Sequence, residues 1–84
     1  MKTLVDYRHR AAQMLDLYRW NCSFYGNKSN IEYCVFKHIY ACYMQICMLN
    51  QIGLISNSCK TRAYYMYAKI RDKYYRGVNN GYNK

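Results

Sequence analysis

This 84-residue chain contains no proline, and its four glycines, at 26, 53, 77 and 81, stand where hydrophobic periodicity lapses. Proline removes a helical hydrogen bond, and an interior glycine costs a helix about 1 kcal/mol. Between those points the chain can hold long unbroken helices. Its length allows one domain, 1–84, close to the lower limit for folding without disulfides or metals. Hydrophobic residues make up 52%, enough apolar surface to offset the entropy of ordering, which excludes a disordered chain. The expectation is an all-α domain: a three-helix bundle, or an irregular helical hairpin with a third helix against it. The helices should cover about 4–22, 31–52 and 59–76, with a frayed tail over 78–84.

Local signals place the boundaries. Thr3 with Asp6 three residues later is an acid-bearing capping box for the first helix. Leu4, Tyr7, Ala11, Met14, Leu15, Tyr18 and Cys22 then recur at three- and four-residue steps and form one apolar stripe. Gly26 to Asn30 make a loop, and Ser29-x-x-Glu32 is a second capping box that opens the middle helix. Gly53 ends that helix as a left-handed cap, with Leu54 supplying the contact beyond it. Ser56, Asn57 and Ser58 form the next loop and offer an N-cap. The third helix buries Cys59, Ala63, Met66, Tyr67, Ile70 and Tyr74 and stops at Gly77, with Val78 in the role of Leu54.

The middle helix is unusual. Ile31, Val35, Ile39, Cys42, Ile46 and Leu49 line one side, yet Phe36, Tyr40, Met44, Cys47 and Met48 occupy much of the rest. A helix apolar nearly all round is a buried one and should supply most of the core. Two neighbouring helices cannot cover all of it. Phe36, Tyr40, Met44 and Met48 are therefore candidates for a partner-binding or self-association surface. Trp20 lies off the first helix's stripe. It packs against Phe24 and Tyr25, or it is an exposed hot spot for a protein partner.

Thirteen Lys and Arg against four acids give a net charge of +9, a field that attracts nucleic acid, anionic lipid or an acidic protein surface. Residues 58–84 hold seven of the cations and one acid, +6 of that total. At 100° per residue, Arg62, Lys69, Lys73 and Arg76 share one flank of the third helix. Lys60 and Arg71 line the other flank beside Tyr64 and Tyr75, and Tyr65 sits on the outer face near Asp72. Such cations can follow a phosphate backbone while exposed rings stack on bases; they equally suit an acidic protein surface, or only solvent.

The four acids have structural tasks. Asp6 caps and can pair with Arg10, Glu32 closes the second box, Asp16 reaches Arg19 and Asp72 reaches Arg76. No paired acid–base site remains, and no Ser-His-Asp set or glycine-rich phosphate loop occurs, so neither catalysis nor a cofactor is expected. Cys34, His38 and Cys42 share a stripe, but two helical turns, about 12 Å, separate the cysteines, too far for one zinc. No metal site is expected. The five cysteines are odd in number and lack framework spacing, and Met1-Lys2-Thr3 leads into a helix rather than a signal peptide. Free thiols in a reducing cytoplasm fit this pattern. The uncharged run from Ile39 to Cys59 is interrupted by Gln45, Asn50, Gln51, Gly53 and three polar residues at 56–58, which argues against a membrane span.

Abundant Tyr, Asn, Lys and Ile suit an AT-rich phage or viral genome. Two function classes compete. One is a small cytoplasmic regulator or inhibitor that binds a larger protein with an acidic surface, or a second copy of itself. The other is a nucleic-acid-binding protein using Arg62, Lys69, Lys73 and Arg76 with Tyr65 or Tyr75. Peripheral attachment to an anionic membrane through the same cations is a weaker third.

Overall fold

Thr3 opens the first helix as the sequence predicts. Its hydroxyl accepts from the Asp6 backbone N–H at 3.3 Å, and its own N–H donates to Asp6 Oδ2 at 3.0 Å, satisfying two otherwise orphaned donors. The computed structural model describes residues 3–79, folded as helices α1 (Leu4–Gly26), α2 (Tyr33–Gln51) and α3 (Asn57–Asn79). Each helix packs on both others, giving an all-α three-helix bundle of 49 × 21 × 17 Å. Of the predicted frayed tail, Val78 and Asn79 are helical, and 80–84 lie outside the described residues.

α1 outruns its periodicity by one turn. Trp20 and Phe24 stack at 5.2 Å across that turn, and half-buried Tyr25 packs on the core. No basic residue of its own stands in the last turn; instead Lys73 Nζ reaches from α3 and donates to the Gly26 carbonyl at 2.7 Å.

The second capping box does not form. α2 starts at Tyr33, with Glu32 extended at the N-cap and making no side-chain cap bond, while Ser29 Oγ donates to Asn30 Oδ1 at 3.4 Å. Ile31 supplies the reason. It enters the core, 1% exposed, from an extended segment that a helix starting at Asn30 would abolish. Burying an isoleucine contributes about 1.5–3 kcal/mol, against about 1 for a cap. At the other end the prediction holds in detail. Gly53 takes φ +83, and the Leu54 N–H donates to the Leu49 carbonyl at 2.9 Å while the Gly53 N–H donates to Asn50 at 3.0 Å. These are the two bonds of a Schellman motif, with Leu54 packed on the core.

Ser56 caps α3, its Oγ accepting from the Cys59 N–H at 3.2 Å. Asn50 Nδ2 ties the turn by donating to the Ile55 carbonyl at 3.0 Å and Asn57 Oδ1 at 2.8 Å. Gly77 does not end α3. It is buried within the helix, seven residues beyond Ile70 on the inward stripe, so Val78 lies inside the helix rather than past it.

The core is not dominated by α2. α1 contributes Ala11, Leu15, Tyr18 and Cys22, and α3 contributes Ala63, Tyr67 and Ile70. α2 itself buries only Ile39 and Ile46, helped by Ile31 and Ile55 from the flanking loops. Tyr18 explains how α1 and α3 share the interior: its ring spans the gap and its hydroxyl donates to the Ala63 carbonyl at 2.6 Å. Burial pushes the Tyr18 hydroxyl well above its ordinary pKa and raises that of the neighbouring Cys22 thiol. Leu4, Tyr7 and Met14 of the predicted α1 stripe stay exposed, so the core begins at Ala11. Asp16 pairs with Arg19 at 3.7 Å, as predicted. Asp72 pairs with its neighbour Arg71 at 3.4 Å rather than with Arg76, and Asp6 is taken up by the cap rather than by Arg10.

Candidate functional site

Two stripes of rings face each other across the α2–α3 seam. Tyr33, Phe36, Tyr40 and Tyr43 follow one another on α2 at steps of three and four, and Tyr64, Tyr67 and Tyr74 on α3 at three and seven. Rings at such spacing share one helix face. Tyr67 is the hub. It stacks on Tyr43 at 5.2 Å and on Phe36 at 6.1 Å, and it meets Tyr40 at 5.8 Å. Phe36 lies flat against Tyr74 at 4.5 Å and edge-on to Tyr75 at 5.9 Å. Tyr33 closes one end on Tyr74 at 6.2 Å, and Tyr43 leads through Tyr64 to Tyr65 at the other. The nine rings form one unbroken network.

Only the middle of this network is covered. Tyr67 is buried and Phe36, Tyr43 and Tyr74 are half-buried, while Tyr33, Tyr40, Tyr64, Tyr65 and Tyr75 remain exposed. Met44 and Met48 extend the apolar run from Tyr40 along α2 at four-residue steps, 42% and 64% exposed. Burial pushes the Tyr43 hydroxyl up to about 12 and that of Tyr67 in the same direction. Cations stand on the rings: Arg71 lies over Tyr67 at 5.8 Å and Lys37 over Tyr33 at 5.2 Å, geometry that holds a positive charge by the ring's quadrupole. Interaction with Tyr64 also holds Arg71 further into its charged form.

The predicted site residues do not form one face. Phe36 lies under Tyr74, so of the apolar candidates on α2 only Tyr40, Met44 and Met48 are open. Tyr75 belongs to the seam, whereas Lys69 and Lys73 lie toward α1. Lys69 helps line a shallow hollow with Cys22, Ser23 and Gly26, and Lys73 is bound to the Gly26 carbonyl. Arg62, Lys69 and Arg76 are exposed and make no ion pair or hydrogen bond among the described residues. Tyr65 is exposed and, among the described residues, its ring meets only Tyr64, edge-on. Trp20 stacks on Phe24 and is still 59% exposed, on a face of α1 away from the seam. Sequence reading missed Tyr33, Lys37, Tyr43, Tyr67 and Tyr74 as parts of one surface. The signal was the pair of matched aromatic stripes on two successive helices.

All five cysteines are free thiols. Cys42 Sγ lies 3.7 Å from His38 Nε2, and Cys34 Sγ lies 3.7 Å from Glu32 Oε2. Among the described residues no three His, Cys, Asp or Glu side chains gather as a metal site would require. Nor is any helix there long and apolar enough to cross a membrane. Comparison with protein-family models, curated proteins and solved structures yields no match to this chain.

Proposed function

We propose that this protein is a small non-enzymatic regulator that binds a larger protein through the α2–α3 seam, in the cytoplasm of the cell where it acts. The observation that carries this reading is the nine-ring network, with five of its rings open to water beside exposed Met44 and Met48. Tyrosine presents rigid apolar area with a polar tip at low entropic cost, and tyrosine with arginine is the composition of binding hot spots. Lys37, Lys60 and Arg71 on the seam select an acidic partner surface.

A second reading, nucleic-acid binding, draws support from Arg62, Lys69 and Arg76, which pair with no acid among the described residues. It is weakened by Lys73, already bound to α1, and by Tyr75, on the opposite flank from those arginines. Affinity capture from the native host, with and without nuclease, separates the two. The expected result is a nuclease-resistant protein partner that Tyr40→Asp with Met44→Asp fails to retain while circular dichroism stays helical. Capture lost on nuclease treatment and insensitive to those substitutions would favour nucleic acid instead.

A further inference from the structure

The outer face of α1 carries a pattern the seam does not explain. Asp6, Arg10, Gln13, Leu17, Trp20 and Phe24 follow one another at steps of four, three, four, three and four. That is the alternation of a coiled-coil seam. All of them are exposed, Leu17 at 60% and Trp20 at 59%. Arg10, Gln13, Met14 and Leu17 surround a depression of about 230 Å³. Positions i, i+3, i+4 and i+7 are the four corners of the hole that receives a knob from a facing helix. One turn further along stands the largest protruding side chain of the helix, Trp20, braced by its stack on Phe24.

A knob and its hole on a single face, displaced along one helix, are what a twofold pair requires. We infer that the occupant of this face is a second copy of the chain, with antiparallel α1 helices crossing at Leu17. Each residue then faces the one equally far beyond Leu17 on the other copy. The partner's Trp20 comes level with Met14 and enters the depression, a sulfur–aromatic contact of a favourable kind. The partner's Lys28 comes opposite Asp6, and Lys28 is already on this face, its Nζ 4.5 Å from the Phe24 ring centroid. Charge supports the same choice. α1 carries three arginines against two aspartates, a net +1, whereas α3 carries six cations against one acid, a net +5. Two copies therefore approach along α1 with less repulsion than along α3.

Sedimentation equilibrium on the full chain at micromolar concentration tests this. The expected result is a dimer that Trp20→Ala weakens by at least about tenfold, the scale of a hot-spot residue. Circular dichroism should stay unchanged, since Trp20 takes no part in the core. Lys28→Glu should weaken the pair by setting like charges face to face, whereas Lys28→Arg should leave it intact. A wild-type monomer throughout the micromolar range overturns the inference. So does a dimer indifferent to Trp20→Ala, or one that Lys28→Glu leaves intact. None of these outcomes bears on partner capture by the seam.

Discussion

The outer face of α1 and the seam between α2 and α3 are both apolar and both open to water, yet they are built for different company. The α1 face is narrow, nearly neutral and keyed, with one protruding indole and one hollow that fits it. The seam is broad and continuous, its rings packed on each other, and it carries Lys37, Lys60 and Arg71. Apolar area alone would let either face meet anything. Charge and relief decide, because a face bearing several cations repels its own copy, whereas a neutral knob-and-hole face does not.

The largest expected effect is a double dissociation. Tyr40→Asp with Met44→Asp should reduce partner affinity by about a hundredfold or more, as loss of central hot-spot contacts does, and leave dimerisation intact. Trp20→Ala should do the reverse. Affinity measured by calorimetry beside sedimentation reads both, and one variant that damages both functions would show the faces to be a single site.

Salt is a second and smaller lever. Raising salt from about 0.05 to 0.5 M shortens the screening length severalfold, so partner binding should weaken several-fold. The α1 pair should hold or tighten, since two copies of net charge +9 repel. A dimer that dissociates with salt would show it to be held by opposite-charge pairs rather than by the indole and its hollow.

Alkaline pH acts on the packed rings of the seam and the core beneath them. Burial raises the Tyr43 hydroxyl to about 12 and raises Tyr18, Tyr67 and the Cys22 and Cys42 thiols. A group whose folded-state pKa is raised stabilises the fold fully below its ordinary value. Its contribution is lost as pH climbs toward the folded value. The melting temperature should therefore be level through neutral pH and fall from about pH 9, where thiols begin to ionise, to about pH 12. A melting temperature unchanged to pH 12 would mean these groups are hydrated in solution.

The smallest effect concerns the helix starts. Ser56→Ala should cost about 1 kcal/mol and Ser29→Ala a few tenths at most, read by chemical denaturation. Equal costs would show that Ser29 also caps a helix.

Those two serines mark how far local sequence reaches. Thr3 and Gly53 were legible because each cap acts within a few residues, and nothing distant competes with it. For α3 the sequence offered Ser56, Asn57 and Ser58 together before a helix from about 59, and the structure selects Ser56 and starts the helix at Asn57. Ser29 was not legible, because the loop obeys Ile31, whose reward comes from the assembled core. Gly77 misled for a related cause: on the inward stripe a glycine marks burial rather than a stop. The same distinction runs through the surfaces. Tyr40, Met44 and Met48 were readable as surplus on α2, since counting faces needs no partner. Phe36 was not, because its cover comes from Tyr74 on another helix. The flank of Arg62, Lys69, Lys73 and Arg76 was legible as angle, but the bond that takes Lys73 out of it depends on where α1 ends.

That bond also sets the order of assembly. With no cation of its own in the last turn, α1 relies on a lysine that arrives only when the far half of α3 has docked, so its final turn is a product of tertiary folding. Phe24 and Tyr25 belong to this conditional turn, and Phe24 is the brace under Trp20. Whatever loosens the end of α3, whether truncation, proteolysis or a ligand that competes for Lys73, would unwind that turn and free the indole to swing. The reach of one side chain thus makes the rigidity of one surface a readout of the integrity of another helix.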